Sequence, residues 1–322
     1  MEALRIAVAE RDRLPDRIVA GQDADRAGEL TRDGVTVGCF AELKGGNGFS
    51  VSGPETIAGL RANEESVQAH RLFTTGMRVM DHYADVFDVR GHKYDAGMRA
   101  FPKARDEEFR QLFAGIDVGP LKTVYDIPSG GGYLDRFIAS DADLIEFDPS
   151  ADFGSQSAKP VDLEHLTLRP QSADLVVSLA ALHHVANKAD FFRTAVAALK
   201  PDGWLCVADV PAGSDIARFL DDFVGTRNGM GHDADYMTED PDWFRNAAGT
   251  RAQLVRCEVA PCPWRFEQAQ DLASFCRSLF GLQDVSDRDL LDTLDRDIGI
   301  STTATGVALD WELLYLQLRA SS

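Results

Sequence analysis

Asp126-Ile127-Pro128-Ser129-Gly130-Gly131-Gly132-Tyr133 is the stretch on which the architecture turns. Before it runs Thr123-Val124-Tyr125-Asp126-Ile127, whose β-branched and aromatic residues read as a buried strand. After it, Gly131 to Ala139 reads as the opening of a helix. Glycines between a strand and a helix let the chain turn sharply and let a ligand approach the backbone closely. Amides at a helix start favour an anion, such as a phosphate or an amino-acid carboxylate. Taken alone, the triplet is a weak signal, because glycine turns are common.

Further along, strands alternate with helices. Asp143-Leu144-Ile145-Glu146-Phe147, Asp174-Leu175-Val176-Val177-Ser178-Leu179 and Trp204-Leu205-Cys206-Val207-Ala208 read as strands. Ala189 to Leu199 reads as a helix stopped by Pro201-Asp202-Gly203, and Trp311-Glu312-Leu313-Leu314-Tyr315-Leu316 as a final strand. Continuous apolar runs suit parallel strands buried on both faces, so the alternation predicts a mostly parallel sheet covered by helices. In such sheets ligands bind beyond the carboxyl ends of the strands. Asp148 lies there, about 20 residues after the glycines, where an acid can accept from ribose hydroxyls. A helix cap or loop acid is the plainer alternative. The dinucleotide glycine pattern would need a third glycine at Asp135, and the acid there disfavours a bound pyrophosphate.

With these residues in place, Leu121 to Val210 resembles a class I S-adenosylmethionine-dependent methyltransferase, most nearly the small-molecule group that includes ubiquinone and menaquinone methylases. The family motif D-x-G-x-G-x-G maps onto Asp126, Pro128, Gly130 and Gly132, with Pro128 in place of the first glycine. Asp148 falls at the ribose position, and Asp162 and Leu163 fall where an acid and an apolar residue flank adenine. Leu182-His183-His184 matches the ending of the fourth strand, and Leu199-Lys200-Pro201-Asp202-Gly203 resembles the LKPGG turn, with Asp202 replacing one glycine. The resemblance implies a Rossmann-like α/β domain with a mostly parallel seven-stranded sheet and helices on both faces. It implies cofactor contacts from Asp126, Pro128, Ser129, Gly130, Gly132, Asp148, Asp162 and Leu163, and from Leu179 and Ala180 at the end of the fourth strand. S-adenosylmethionine would supply the methyl group and leave as S-adenosylhomocysteine. His184 and His183 are the nearest candidates for a base; packing at a strand end is the alternative for both.

The implied organisation is an appended region over residues 1–60, a helical cap over 61–120 and the methyltransferase domain over 121–322. Within the first, Val35-Thr36-Val37-Gly38-Cys39-Phe40 looks strand-like and Lys44-Gly45-Gly46-Asn47-Gly48 reads as a turn or loop. In the cap, Leu72, Phe73, Met77, Met80 and Tyr83-Ala84 recur at helical spacing, and a helix is expected from Lys103 to Phe113. A lid-like insertion over about 211–250 carries Arg227, Asn228, Met230, His232, Tyr236, Met237 and Trp243, which suits an apolar or aromatic acceptor.

The chain has 33 basic and 52 acidic residues, a formal net charge of -19. Such a surface repels phosphate backbones and anionic lipid, so neither nucleic acid nor membrane is an expected partner. A small-molecule acceptor is, and a homodimer is compatible with the sequence. The five cysteines are scattered without a CxxC, and no spacing requires a metal. No signal peptide or membrane span is legible, so the cytoplasm is expected. Two other functions stay open: a catalytically silent cofactor-binding partner module, and an NAD(P)-dependent oxidoreductase on a similar fold.

Overall fold

A computed structural model describes residues 83–150, 153, 157–232 and 234–322, together with the backbone of five strands within residues 17–50. The chain divides into two units, Met1–Arg78 and Val79–Ser322. In the first, β1 (Arg17–Ile18), β2 (Gly28–Arg32) and β3 (Val35–Cys39) form an antiparallel sheet in that order. The strand-like segment starting at Val35 is β3. A second ribbon pairs β4 (Glu42–Lys44) with β5 (Gly48–Ser50); the glycines of the turn expected over Lys44 to Gly48 lie, at 45 and 46, outside the described residues. The expected helical positions at Leu72, Phe73, Met77 and Met80 lie outside the described residues.

The second unit opens with helices α1 (Tyr83–Ala100) and α2 (Asp106–Leu112). The expected helix from Lys103 begins three residues late, because residues 102–105 form turns instead. Three acids, Asp106, Glu107 and Glu108, then occupy the first turn of α2, where the helix dipole favours them.

Seven strands follow: β6 (Thr123–Asp126), β7 (Asp143–Asp148), β8 (Lys159–Pro160), β9 (Ala173–Leu179), β10 (Leu199–Asp209), β11 (Ala252–Pro261) and, last in the chain, β15 (Glu312–Ala320). Their order across the sheet is β11-β15-β10-β9-β6-β7-β8. From β10 to β8 the pairs are parallel; β15 runs antiparallel to both β10 and β11. This is the expected mostly parallel Rossmann-like sheet.

Alternation along the central strands feeds two cores. Val124, Leu175, Val177, Cys206 and Ala208 face one side, with Phe109 and Leu112 of α2. Tyr125, Val176, Leu205 and Val207 face the other, with Phe191 and Phe192 of α3 (Lys188–Ala198). Helices therefore cover both faces, and full burial on both explains the unbroken apolar runs.

Asp202 shows how the turn before β10 absorbs its lost glycine. Its φ is +62°, a left-handed conformation that aspartate tolerates better than most residues. Arg319 and Ser322 each donate to its carboxylate, at 3.0 and 3.1 Å.

The predicted helix from Gly131 to Ala139 is not formed. One 3-10 turn, Tyr133–Phe137, stands in its place. Gly132 is left-handed before it, and the extended Ile138 ends it, leaving too few residues to propagate a helix. The glycine loop consequently has less dipole behind it than the sequence implied.

Beyond β10 lie α4 (Asp215–Arg218), a π-helical stretch (Phe219–Val224), α5 (Gly225–Arg227) and α6 (Pro241–Ala248). Then come β12 (Trp264–Phe266), α7 (Ala269–Phe280), α8 (Asp287–Asp297), β13 (Ile300–Thr303) and β14 (Gly306–Leu309). The sheet β12-β14-β13 has no counterpart in the sequence reading. It supports Trp264 beside α7, and α7 packs along α1. Among the described residues no helix is long and apolar enough to cross a membrane.

Candidate active site

β6 delivers Asp126 to the carboxyl edge of the sheet, and the glycine loop is pinned there from both sides. Ile127 N donates to Val177 O at 2.9 Å and Ser129 N to Phe147 O at 2.8 Å. Gly130 and Gly132 have φ of +52° and +74°, which is where glycine is required. Pro128, at the position of the family's first glycine, follows a cis peptide bond.

Asp148, at the end of β7, lies beneath this loop. Its Oδ2 accepts from Gly130 N at 2.8 Å and from the Tyr83 hydroxyl at 3.4 Å, and its Oδ1 accepts from Ser150 N at 2.9 Å. Burial pushes its pKa up to about 7, against the pull of these donors. Burial, and then Glu146 and Asp148, push Asp126 well above the usual carboxylate range.

One cavity opens at this edge. Of the expected cofactor residues, Asp126, Pro128, Ser129, Gly130, Leu179 and Ala180 line it, and so do His183 and His184. Gly132, Asp148, Asp162 and Leu163 are not in its wall. The Asp162 carboxylate is exposed, accepting from Glu164 N at 2.9 Å and contacting His165 Nδ1 at 3.1 Å. Leu163 is buried in the sheet core. Ser129 Oγ and His184 Nδ1 are buried without a hydrogen-bond partner among the described residues. An unpaired polar group in a cavity wall is costly unless a ligand satisfies it. With Asp126 beside them, these groups fit a polar, amino-acid-bearing cofactor such as S-adenosylmethionine.

The histidines sit on a 3-10 turn, Leu182–His184, after the left-handed Ala180 (φ +52°). Asp209, at the end of β10, organises this turn. Its Oδ2 accepts from the amides of Ala181, Leu182 and His183 at 3.0, 2.6 and 3.2 Å. Its Oδ1 meets His183 Nδ1 at 2.6 Å and also accepts from Val210 N at 2.7 Å. Burial would raise the Asp209 pKa, but the His183 ring and these amides hold it below the usual range. His184 is pushed well below the usual histidine pKa by burial and then by His183. His232, from the expected lid, joins the cluster, its Nδ1 3.0 Å from Asp221 Oδ1. Burial lowers its pKa too, while Asp221 opposes the shift.

The remaining walls come from outside the glycine loop and the histidine turn. α1 contributes Tyr83, Phe87, Arg90 and Tyr94. Phe153 stacks on Phe87 at 4.7 Å and lies against Gly130, where an added Cβ would approach its ring to 3.2 Å. At the far end, Trp264 stacks on Trp311 at 4.2 Å, and Glu108 accepts from Trp264 Nε1 at 2.6 Å. Arg105 in turn donates to Glu108 at 2.9 Å. Among the described residues Arg90 has no carboxylate partner: its Nη1 donates to Leu279 O at 3.3 Å and its Nε is buried and unpaired. Aromatic content over 83–94 and 264–311 was the available signal, but nothing local ties these segments to the glycine loop. Of the expected lid residues, only His232 reaches the cavity wall; Met230 and Met237 belong to the core.

Residues 126–207 match the methyltransferase-domain family. This segment therefore carries a class I methyltransferase domain whose methyl donor is S-adenosylmethionine. Similar solved structures include the YcgJ protein of Bacillus subtilis (12% identity, 67% of this chain and 99% of that one, TM-score 0.45). An S-adenosylmethionine-dependent methyltransferase of Thermotoga maritima is 17% identical over 56% of this chain and 85% of that one (TM-score 0.43). Phosphoethanolamine N-methyltransferase 2 of Haemonchus contortus, in complex with phosphomonomethylethanolamine and S-adenosylhomocysteine, is 12% identical over 73% of this chain and 58% of that one (TM-score 0.42). No curated protein matches the chain in sequence.

Proposed function

We propose that this protein methylates a small, aromatic or apolar acceptor that carries a negative charge, and does so in the cytoplasm. The carrying observation is a cavity that joins the glycine loop to a cluster of histidines and an aromatic chamber holding a cation, Arg90, that meets no carboxylate among the described residues. Asp126, Ser129 and Gly130 hold the donor. Trp264, Phe280 and Trp311 offer flat apolar surface to the acceptor. Arg90, buried over Phe87, supplies the charge that selects an anionic group.

Transfer requires the acceptor atom in line with the methyl carbon in a dry site. The acceptor loses a proton, its bond to the methyl carbon forms, the carbon–sulfur bond breaks, and S-adenosylhomocysteine leaves. Proton removal belongs to the imidazoles. Asp209 fixes the His183 ring so that its Nδ1 faces the carboxylate and its Nε2 is left for the cavity. His184, kept neutral by burial, lines the same wall.

The test is turnover of labelled S-adenosylmethionine with a panel of aromatic carboxylates and phenols. Once an acceptor is found, His183→Gln should lower kcat by about 100-fold or more while leaving cofactor affinity within a few-fold. Unchanged kcat would remove His183 from the proton path. A panel yielding no labelled product from protein that binds the cofactor would favour the silent partner module.

A further inference from the structure

We propose that His183, His184 and His232 form a divalent-metal site, best suited to zinc, with an open coordination position facing the methyl-transfer cavity.

The first support is convergence. One ligand-capable atom from each ring lies within 4.8 Å of the others. The ring centres are 4.2, 5.8 and 5.6 Å apart. Zinc bonded to three imidazoles at about 2.0–2.1 Å in a tetrahedron holds their ring centres roughly 5 Å apart. Imidazole nitrogens on one tetrahedral zinc lie roughly 3.3 Å apart, so the rings turn inward on binding.

The second is orientation. His183 Nδ1 is engaged by Asp209 and His232 Nδ1 by Asp221, so each ring has its Nε2 left for a metal. A carboxylate behind a histidine is the usual outer support of a metal ligand, because it fixes the tautomer and raises basicity. Both carboxylates are themselves held. Four backbone amides donate to Asp209, and the Tyr236 hydroxyl donates to Asp221 at 2.7 Å. Two carboxylates around three neutral imidazoles also balance a dication.

The third is an unmet need. His184 Nδ1 is buried without a partner among the described residues, in a wall shared with the two other rings. A ligated metal satisfies it, whereas three clustered imidazoles alone do not. No ligand spacing announces the site in sequence, because His232 lies far along the chain from the His183-His184 pair.

Three protein ligands and one open position are the pattern of a catalytic zinc rather than a structural one. The open position would take the oxygen or sulfur of the acceptor. Coordination lowers the pKa of a bound hydroxyl or thiol, so its proton passes to solvent and the anion attacks the methyl carbon. The balance is acceptor hydroxyl plus S-adenosylmethionine giving methyl ether, S-adenosylhomocysteine and one proton. In the loaded protein the histidines assigned above to proton removal act through the metal. This catalytic role rests on the methyl-transfer reading; the metal site itself does not.

The experiment uses the full chain after chelator treatment. Cobalt(II) is titrated first and followed by its visible absorption, then displaced with zinc. One equivalent with the intense bands of a tetrahedral site is expected, with zinc bound at micromolar affinity or tighter. His232→Ala should weaken zinc binding by at least about 100-fold, and Asp221→Asn, which keeps the ring, by about 10-fold or more. Circular dichroism establishes that both variants are folded. Failure of the wild type to bind zinc at roughly millimolar concentration would overturn the proposal. So would undiminished binding in both folded variants. S-adenosylhomocysteine affinity is read on the same samples. Zinc without S-adenosylhomocysteine upholds the metal site and contradicts methyl transfer; the reverse leaves methyl transfer standing and sinks the metal site.

Discussion

Asp148 shows how much one carboxylate depends on what covers it. In water it would ionise near pH 4; beneath the glycine loop it does so at about 7. The raised value means the folded state binds more protons than the unfolded one between those limits. Its contribution to stability is therefore greatest below about pH 4 and is lost as pH rises through 7. A shift of this size is worth about 4 kcal/mol at most. Asp148→Asn removes the titration. The thermal midpoint of the cofactor-free variant, relative to wild type, should rise between pH 4.5 and 8 by several degrees. A difference that stays flat with pH would show that Asp148 titrates normally. Arg90 is a second residue held at a cost, since burial lowers its pKa to about 10 and no acid among the described residues faces it. Arg90→Met keeps the packing on Phe87 and drops the charge. It should leave the melting temperature unchanged or higher, while weakening an anionic acceptor about tenfold. A fall of more than about 5 °C would show that the guanidinium is structural.

The elements divide by how local their causes are. β6, β9 and β10 were legible because a strand buried on both faces must be apolar at every position, as in Leu175-Val176-Val177. The segment after the glycines was misread. The triplet suggested a helix start, but left-handed Gly132 and extended Ile138 bracket a single turn. Close contacts also explain why the turn into β10 keeps Gly203. A Cβ there would meet Lys200 O at 2.9 Å, Asp174 O at 3.1 Å and Ala173 O at 3.2 Å, all backbone atoms that cannot swing away. Gly203→Ala should destabilise the domain by about 1–3 kcal/mol in chemical denaturation. A loss below about 0.5 kcal/mol would mean that the turn relaxes freely. The sheet β12-β14-β13 was illegible because its strands are short, and β12 is separated from its partner β14 by two helices.

Across the molecule, the parts of the candidate site that could be read were those carried by consecutive residues, from Asp126 to Gly130 and from Leu179 to His184. The chamber was not readable: Tyr83, Phe153, Trp264 and Trp311 meet only because α1 and the final third of the chain close over the carboxyl edge of the sheet. His232 stood among the expected lid residues, but its convergence on His183 and His184 emerged only from the folded chain. Phe153 and Tyr83 make the central claim testable, because they crowd the place where the donor must sit. Phe153 lies against Gly130, and the Tyr83 hydroxyl reaches toward Asp148. Calorimetric titration of the full chain with S-adenosylhomocysteine asks directly whether that cavity is a cofactor site. One-to-one binding at micromolar affinity or tighter, weakened at least about tenfold by Asp126→Ala, is the result this account predicts. A folded protein that takes up no S-adenosylhomocysteine at roughly millimolar concentration would contradict it.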